Sequence, residues 1–154
     1  MIRWRGTLPL AALALALLLP ACGGEEVLAP DEDLADLVGD WRATRFEVTN
    51  VADPSVSPDL IDPSIGASFT LNIQPSGQYT AILTFQQHPL TEIGELTRAG
   101  DKLVMRVLQP CCRTDRVDYS LEAGVLSLSG PTEFDFNNDG EPEDATAAID
   151  LVRR

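Results

Sequence analysis

Histidine, cysteine and basic side chains are all scarce in this chain of 154 residues, which has one His, three Cys, and 11 Lys plus Arg against 24 Asp plus Glu. Each scarcity closes off a class of function. At a formal net charge of −13, the chain lacks the clustered Lys and Arg with which a nucleic-acid binder displaces counterions, so no nucleic-acid partner is expected. His88 stands in "QQHPL" before Pro89 with no second histidine or cysteine near it, and reads as a solvent-facing turn residue rather than a base or metal ligand. No G-x-S-x-G elbow, H-E-x-x-H pair, G-x-G-x-x-G or phosphate loop occurs, and no enzymatic activity is expected. Outside Cys22 the cysteines are only Cys111 and Cys112, adjacent after Pro110, which leaves no framework of several bridges. In an oxidising compartment that pair can close a vicinal disulfide, stay reduced or bridge two molecules. Without C-x-x-C spacing no redox role is expected. Long apolar runs are missing too, since the stretch from Leu8 to Leu19 falls short of the ~20 residues that span a bilayer.

That stretch follows Arg3 and Arg5 with no acidic residue before it, the charged-then-apolar order of an export signal. An ordinary cleavage site wants small residues in an A-x-A-like pattern, whereas Leu19-Pro20-Ala21 puts a large one first. Leu19-Pro20-Ala21-Cys22 resembles the lipobox of bacterial lipoproteins, with Pro20 a less usual second member. The resemblance implies a lipoprotein signal peptide over residues 1–21, cleavage between Ala21 and Cys22, and diacylglycerol on the Cys22 sulfur. The chemistry suits a thiol because the thiolate is the strong nucleophile among side chains. A plain secreted protein with a free cysteine, or an uncleaved anchor, is the alternative. Several acyl chains, at ~0.8 kcal/mol per buried methylene, would hold the protein firmly, so the expected membrane contact is through lipid on Cys22. Removing residues 1–21 leaves 9 basic against 24 acidic side chains, a formal charge of −15. No anionic-membrane-binding surface is expected from that balance; the acids keep an exported domain soluble. Residues 22–36, "CGGEEVLAPDEDLAD", have little to bury and read as an acylated cysteine on a disordered acidic tether, reaching about 45 Å when extended. Gly23 stands where, by the same resemblance, an Asp would favour the inner membrane. The expected location is therefore the cell envelope, at the outer membrane and facing the periplasm.

About 118 residues remain, enough for one domain with one core. From Gly39 onward the apolar pattern has period two and is broken by Gly, Pro, Asn and Asp, which predicts strands. "SFTLNIQ" puts Phe69, Leu71 and Ile73 on one face, and "QYTAILTF" puts Tyr79, Ala81, Leu83 and Phe85 on one face. "KLVMRVL", "RVDYSLE", "VLSLS" and "ATAAIDLVRR" continue the pattern with Leu103, Met105, Val107, Val117, Tyr119, Leu121, Leu126, Leu128, Ala147, Ile149 and Leu151. An opening strand near Trp41–Val48 and a weaker one at "EIGELT" bring the count to eight. Gly77, Gly100 and Gly124 mark hairpin turns 23 and 24 residues apart, each at a place where positive φ is expected. Eight strands joined by hairpins predict an all-β, small antiparallel up-and-down barrel, with an open sandwich as the alternative.

"DLVGDW" brings Gly39 and Trp41 to the start of this domain. With the lipobox and the strand count, it resembles the small lipocalin-like domain of bacterial lipoproteins over residues 37–154. The resemblance implies that Trp41 plugs the closed end and that Arg153 or Arg154 lies across it in a cation–π contact. The chain is shorter than true lipocalins and lacks their helix before the last strand.

A barrel of this size either fills its interior or holds one small ligand, and Phe69, Tyr79, Phe85 and Tyr119 are candidates to fill it. Residues 50–68, "NVADPSVSPDLIDPSIGAS", form a connection longer than a hairpin loop. Its Leu60, Ile61 and Ile65 are candidates for a lid over a small apolar ligand. Asp135, Asn137, Asp139 and Gly140 follow D-x-N-x-D-G, half of a calcium loop. Thr146 occupies the twelfth position, leaving Glu141, Glu143 or Asp144 to complete a Ca²⁺ site; otherwise Asp139-Gly140 simply makes the turn. Three functional readings stay open: a carrier of a small apolar molecule, an inhibitor or interaction protein using its loops to bind a protease, lysozyme or other protein, and a structural envelope protein.

Overall fold

Alternation in the sequence becomes eight antiparallel strands: β1 (Gly39–Asn50), β2 (Ser68–Ile73), β3 (Gln78–Phe85), β4 (His88–Ala99), β5 (Lys102–Gln109), β6 (Arg113–Glu122), β7 (Val125–Phe134) and β8 (Glu143–Arg153). The computed structural model describes residues 32–154; Ala21, Cys22, the signal peptide and most of the expected tether lie outside them. Each strand pairs with the next, and β1 pairs with β8 from Trp41↔Arg153 to Asn50↔Ala145, so the sheet closes into a barrel. Closure removes both sheet edges. The up-and-down, lipocalin-like barrel is the architecture, and the open sandwich is not. Gly77, Gly100 and Gly124 have φ of +80°, +67° and +83°, as the hairpin rhythm requires.

Two apolar clusters divide the interior. At the closed end, Leu34, Leu37, Trp41, Ile73, Tyr79, Leu103, Leu126 and Leu151 are buried almost completely. Leu34 arrives there on a short 3₁₀ turn, Glu32–Leu34, and Leu37 N–H closes the turn by donating to Leu34 O at 2.8 Å. Leu34, one of the last residues of the expected tether, thus forms part of the barrel floor with Leu37. At the open end, Phe46, Val48, Leu60, Ala67 and Ala145 are buried, with Phe69, Phe85, Phe134 and Phe136 packed against them.

Gly39 and Trp41 open β1 beside the last residue of β8. Trp41 is fully buried and its indole N–H donates to Leu37 O at 2.8 Å. The Arg153 guanidinium lies 4.5 Å from the ring centroid and donates to Asp36 O at 2.5 Å and to Val38 O. A Cβ at Gly39 would stand 2.6 Å from Arg153 Nη1, which accounts for glycine at that position. Arg154 contributes only its backbone N–H, donated to Asp40 O at 3.0 Å. Between the two candidates, Arg153 is the arginine on the tryptophan.

Candidate functional site

Above the packed floor the interior opens. A cavity of 440 Å³ is lined by Phe46, Phe69, Ala81, Leu83, Leu90 and Met105, with Thr91, Glu92, Pro110, Arg113 and Thr132 completing it. A second space of 160 Å³ shares Phe46, Phe69, Glu92, Met105, Arg113 and Thr132 with it and extends toward Val117, Leu128, Ala147 and Ile149. The volume and apolar lining suit one small molecule. Of the four aromatic candidates for filling the barrel, Tyr79 is buried in the floor cluster and Tyr119 packs against it, beneath Arg98 at 5.3 Å. Phe85 joins Phe134 at the mouth, their centroids 6.4 Å apart. Phe69 meets Phe46 edge-on at 5.4 Å and forms cavity wall. The barrel is solid in its closed half and hollow in its open half.

Three charged residues point into this space. Pairing of Ala81 with Glu92, Val107 with Arg113 and Met105 with Asp115 puts each on the same face as an inward apolar neighbour. The Tyr79 hydroxyl donates to Glu92 Oε1 at 2.7 Å, Arg113 Nη2 donates to Glu92 Oε2 at 2.5 Å, and Arg113 Nε to Asp115 Oδ2 at 2.6 Å. Burial, then the Glu92 contact, pushes the Tyr79 phenol far above its ordinary range, so Tyr79 stays a neutral donor. Burial alone would lower Arg113, but Asp115 and Glu92 outweigh it and raise its pKa. Gly94 makes room for this arrangement, since a Cβ there would come within 2.7 Å of the Tyr79 ring.

Sequence reasoning missed this group. Extending the period-two pattern backward from Val117 reaches Asp115 and Arg113, and from Leu96 it reaches Gly94 and Glu92. The signal was present, but charge at inward positions reads as the end of a strand.

The other expected sites fall differently. The 51–67 connection is fastened to β1 along the upper half that β2 does not reach: Leu60 N–H donates to Phe46 O at 2.8 Å, Val48 N–H to Pro58 O at 3.0 Å and Asn50 N–H to Val56 O at 3.0 Å. Asp59 Oδ1 accepts from Phe46 N–H at 2.9 Å. Leu60 is 2% exposed, while Ile61 and Ile65 pack against the mouth cluster, and none of the three lines the cavity. The connection expected to be a lid lies along the free edge of the upper half of β1, with its apolar residues on the open-end cluster.

In the acidic loop, Asp135 Oδ1 accepts from Asp139 N–H at 3.2 Å and Oδ2 from Gly140 N–H at 2.9 Å. Asn137 Oδ1 accepts from Asp139 N–H at 2.9 Å, and Asp139 Oδ1 from Glu141 N–H at 2.8 Å. Glu143 accepts from Phe136 N–H and from the Asn137 amide. These oxygens cap the turn's own donors, and among the described residues no three His, Cys, Asp or Glu side chains gather as a metal site. The D-x-N-x-D-G spacing builds this capped turn, and Ca²⁺ at Asp135, Asn137, Asp139, Glu141 and Asp144 stays an expectation, since an oxygen that accepts a backbone N–H keeps a lone pair for a cation. Cys111 and Cys112 are joined as a vicinal disulfide in the β5–β6 connection. His88 is exposed and opens β4 opposite Phe85.

Fold and cavity define a class: a closed eight-stranded barrel with one sealed end and an apolar, partly charged hollow at the other. Comparison of the chain with protein-family models, with curated proteins and with solved structures returns no match.

Proposed function

We propose that this chain is a lipid-anchored lipoprotein of the cell envelope whose lipocalin-like barrel binds one small, largely apolar molecule and performs no catalysis. The 440 Å³ hollow bounded by Phe46, Phe69, Leu83 and Met105 carries the reading, because apolar wall left open to solvent has a hydrophobic gain available only to an occupant. The anchor rests on Leu19-Pro20-Ala21-Cys22 and the charged-then-apolar segment before it, and Gly23 favours the outer membrane. An inhibitor of a protease or lysozyme, working through loops, would need a segment standing clear of the barrel, and the 51–67 connection is instead tied to β1.

Native mass spectrometry of the protein extracted from its host membrane tests the carrier reading. A discrete adduct beyond the Cys22 lipids is expected, and a bare chain would turn the search toward protein partners. The anchor has its own test in Cys22→Ser, which should leave the membrane fraction. Continued fractionation with membranes would refute lipidation at that residue.

A further inference from the structure

We infer that the cavity selects an amphiphile with a cationic, amine-type head and disfavours one that ends in a carboxylate, an inference that rests on the carrier reading above. Glu92, Arg113 and Asp115 are the charged residues of the lining, and two carboxylates against one guanidinium leave that group with a formal charge of −1. Both Glu92 oxygens are occupied, one by the Tyr79 hydroxyl and one by Arg113. Asp115 accepts from Arg113 through Oδ2, and among the described residues its Oδ1 accepts no hydrogen bond. An ammonium placed at Oδ1, with its tail along Phe69 and Met105, gains a charge-assisted hydrogen bond and brings the group to neutrality. A carboxylate at the same place raises the local charge to −2 and must compete with two anions already bound to Arg113. A neutral hydroxyl can donate to Oδ1 without the Coulomb gain. The chain's net charge of −13 biases the approach of ligands in the same sense. Because the Arg113 and Asp115 side chains are 53% and 35% exposed, salt weakens the preference without abolishing it.

Three probes sharing a twelve-carbon tail, dodecylamine, dodecanol and dodecanoate, separate the outcomes. They are titrated calorimetrically, below their micelle concentrations, into the full chain held in phosphatidylcholine nanodiscs, with uptake by empty discs subtracted. Dodecylamine should bind at least about tenfold more tightly than dodecanoate, a difference of about 1.4 kcal/mol, with dodecanol between them. Asp115→Asn should cut the amine-to-acid ratio to about a third or less. Ala147→Phe, which fills the hollow from β8, should abolish amine binding; Met105→Trp fills it from β5 if the first variant lowers the melting temperature. Equal or tighter dodecanoate binding, an unchanged ratio in Asp115→Asn, or amine uptake that survives both cavity-filling variants would overturn the head-group inference while leaving the carrier reading standing. Failure of all three probes to bind would overturn the carrier reading and this inference with it.

Discussion

Arg153 and Arg154 are adjacent in sequence, yet only one of them touches the Trp41 indole. Arg153 stacks on the ring at 4.5 Å and its guanidinium satisfies the carbonyls of Asp36 and Val38, joining the first turn of the domain to its last strand. Arg154 offers the fold a backbone N–H alone, which any residue but proline supplies. Arg153→Ala should therefore cost about 2 kcal/mol, the worth of a cation–π contact plus charge-assisted hydrogen bonds at a partly exposed site. Arg154→Ala should cost less than about 0.5 kcal/mol, as surface substitutions generally do. Urea denaturation of the two variants checks this, and equal midpoints would remove the assigned role from Arg153. The pairing of Gly39 and Trp41 with a distant arginine was legible in the sequence through resemblance. The choice between neighbours was legible too, though not drawn, because Arg153 continues the period-two face of Ala147, Ile149 and Leu151 whereas Arg154 lies past the end of β8.

The long β1–β2 connection behaves as an element in its own right, and its carboxylates make its attachment sensitive to acid. Hydrogen bonds from the Ser57 hydroxyl and then from Arg45 hold Glu47 below its ordinary 4.5. The Ser55 and Ser64 hydroxyls hold Asp53 and Asp62 below 3.8. A carboxylate whose folded pKa is depressed contributes stability above its ordinary value and loses it as pH falls through the folded one. Protection of the Val48, Asn50 and Leu60 amides should thus fall as pH drops from about 4.5 to below 3.8, relative to an Ala81 amide inside the β2–β3–β4 sheet. Hydrogen exchange corrected for intrinsic rates measures this, and parallel loss at all four amides would show that the loop has no acid sensitivity of its own. The acidic β7–β8 turn gives a second expectation. Asp135→Ala removes acceptors from Asp139 and Gly140 and should cost about 1 kcal/mol, as loss of a backbone cap does, equally in millimolar calcium and in chelator. A calcium-dependent melting temperature in the parent chain would establish a metal role. Turn chemistry explains why these elements were only partly legible. Gln86 and Gln87 make a two-residue turn with φ of +49° and +68°, a conformation that sequence patterns assign to Asn and Gly. Asp-Gly at 139–140 fits a calcium loop and a capped turn equally well until the oxygens are located.

For the whole molecule, the period-two pattern was strong enough to give strand count and order, but it left closure open against a sandwich until β1 was seen to pair with β8, and it did not show where the barrel begins. The segment "APDEDLADL" has the composition of a tether, and its two leucines are too few for any periodicity to register. Yet Leu34 is fully buried between the floor of the barrel and the Gly77 turn, where a Cβ on Gly77 would stand 3.4 Å from Leu34 Cδ1. Asp36 pairs with Arg98 at 2.6 Å through its carboxylate and with Arg153 through its carbonyl, so this short turn ties β4 and β8 together beneath Trp41. A domain cut at residue 37 opens a leucine-sized hole in the floor and leaves both arginines without those acceptors. Loss of one buried leucine costs about 2–5 kcal/mol, whereas the exposed Arg98–Asp36 pair adds on the order of 0.5 kcal/mol. The fragment 37–154 should therefore be less stable than 32–154 by roughly 3 kcal/mol. Leu34→Ala in the longer fragment should reproduce most of that deficit and Asp36→Ala little of it. Equal urea midpoints for the two fragments would mean that the floor closes without Leu34, and that residues 32–36 belong to the tether after all.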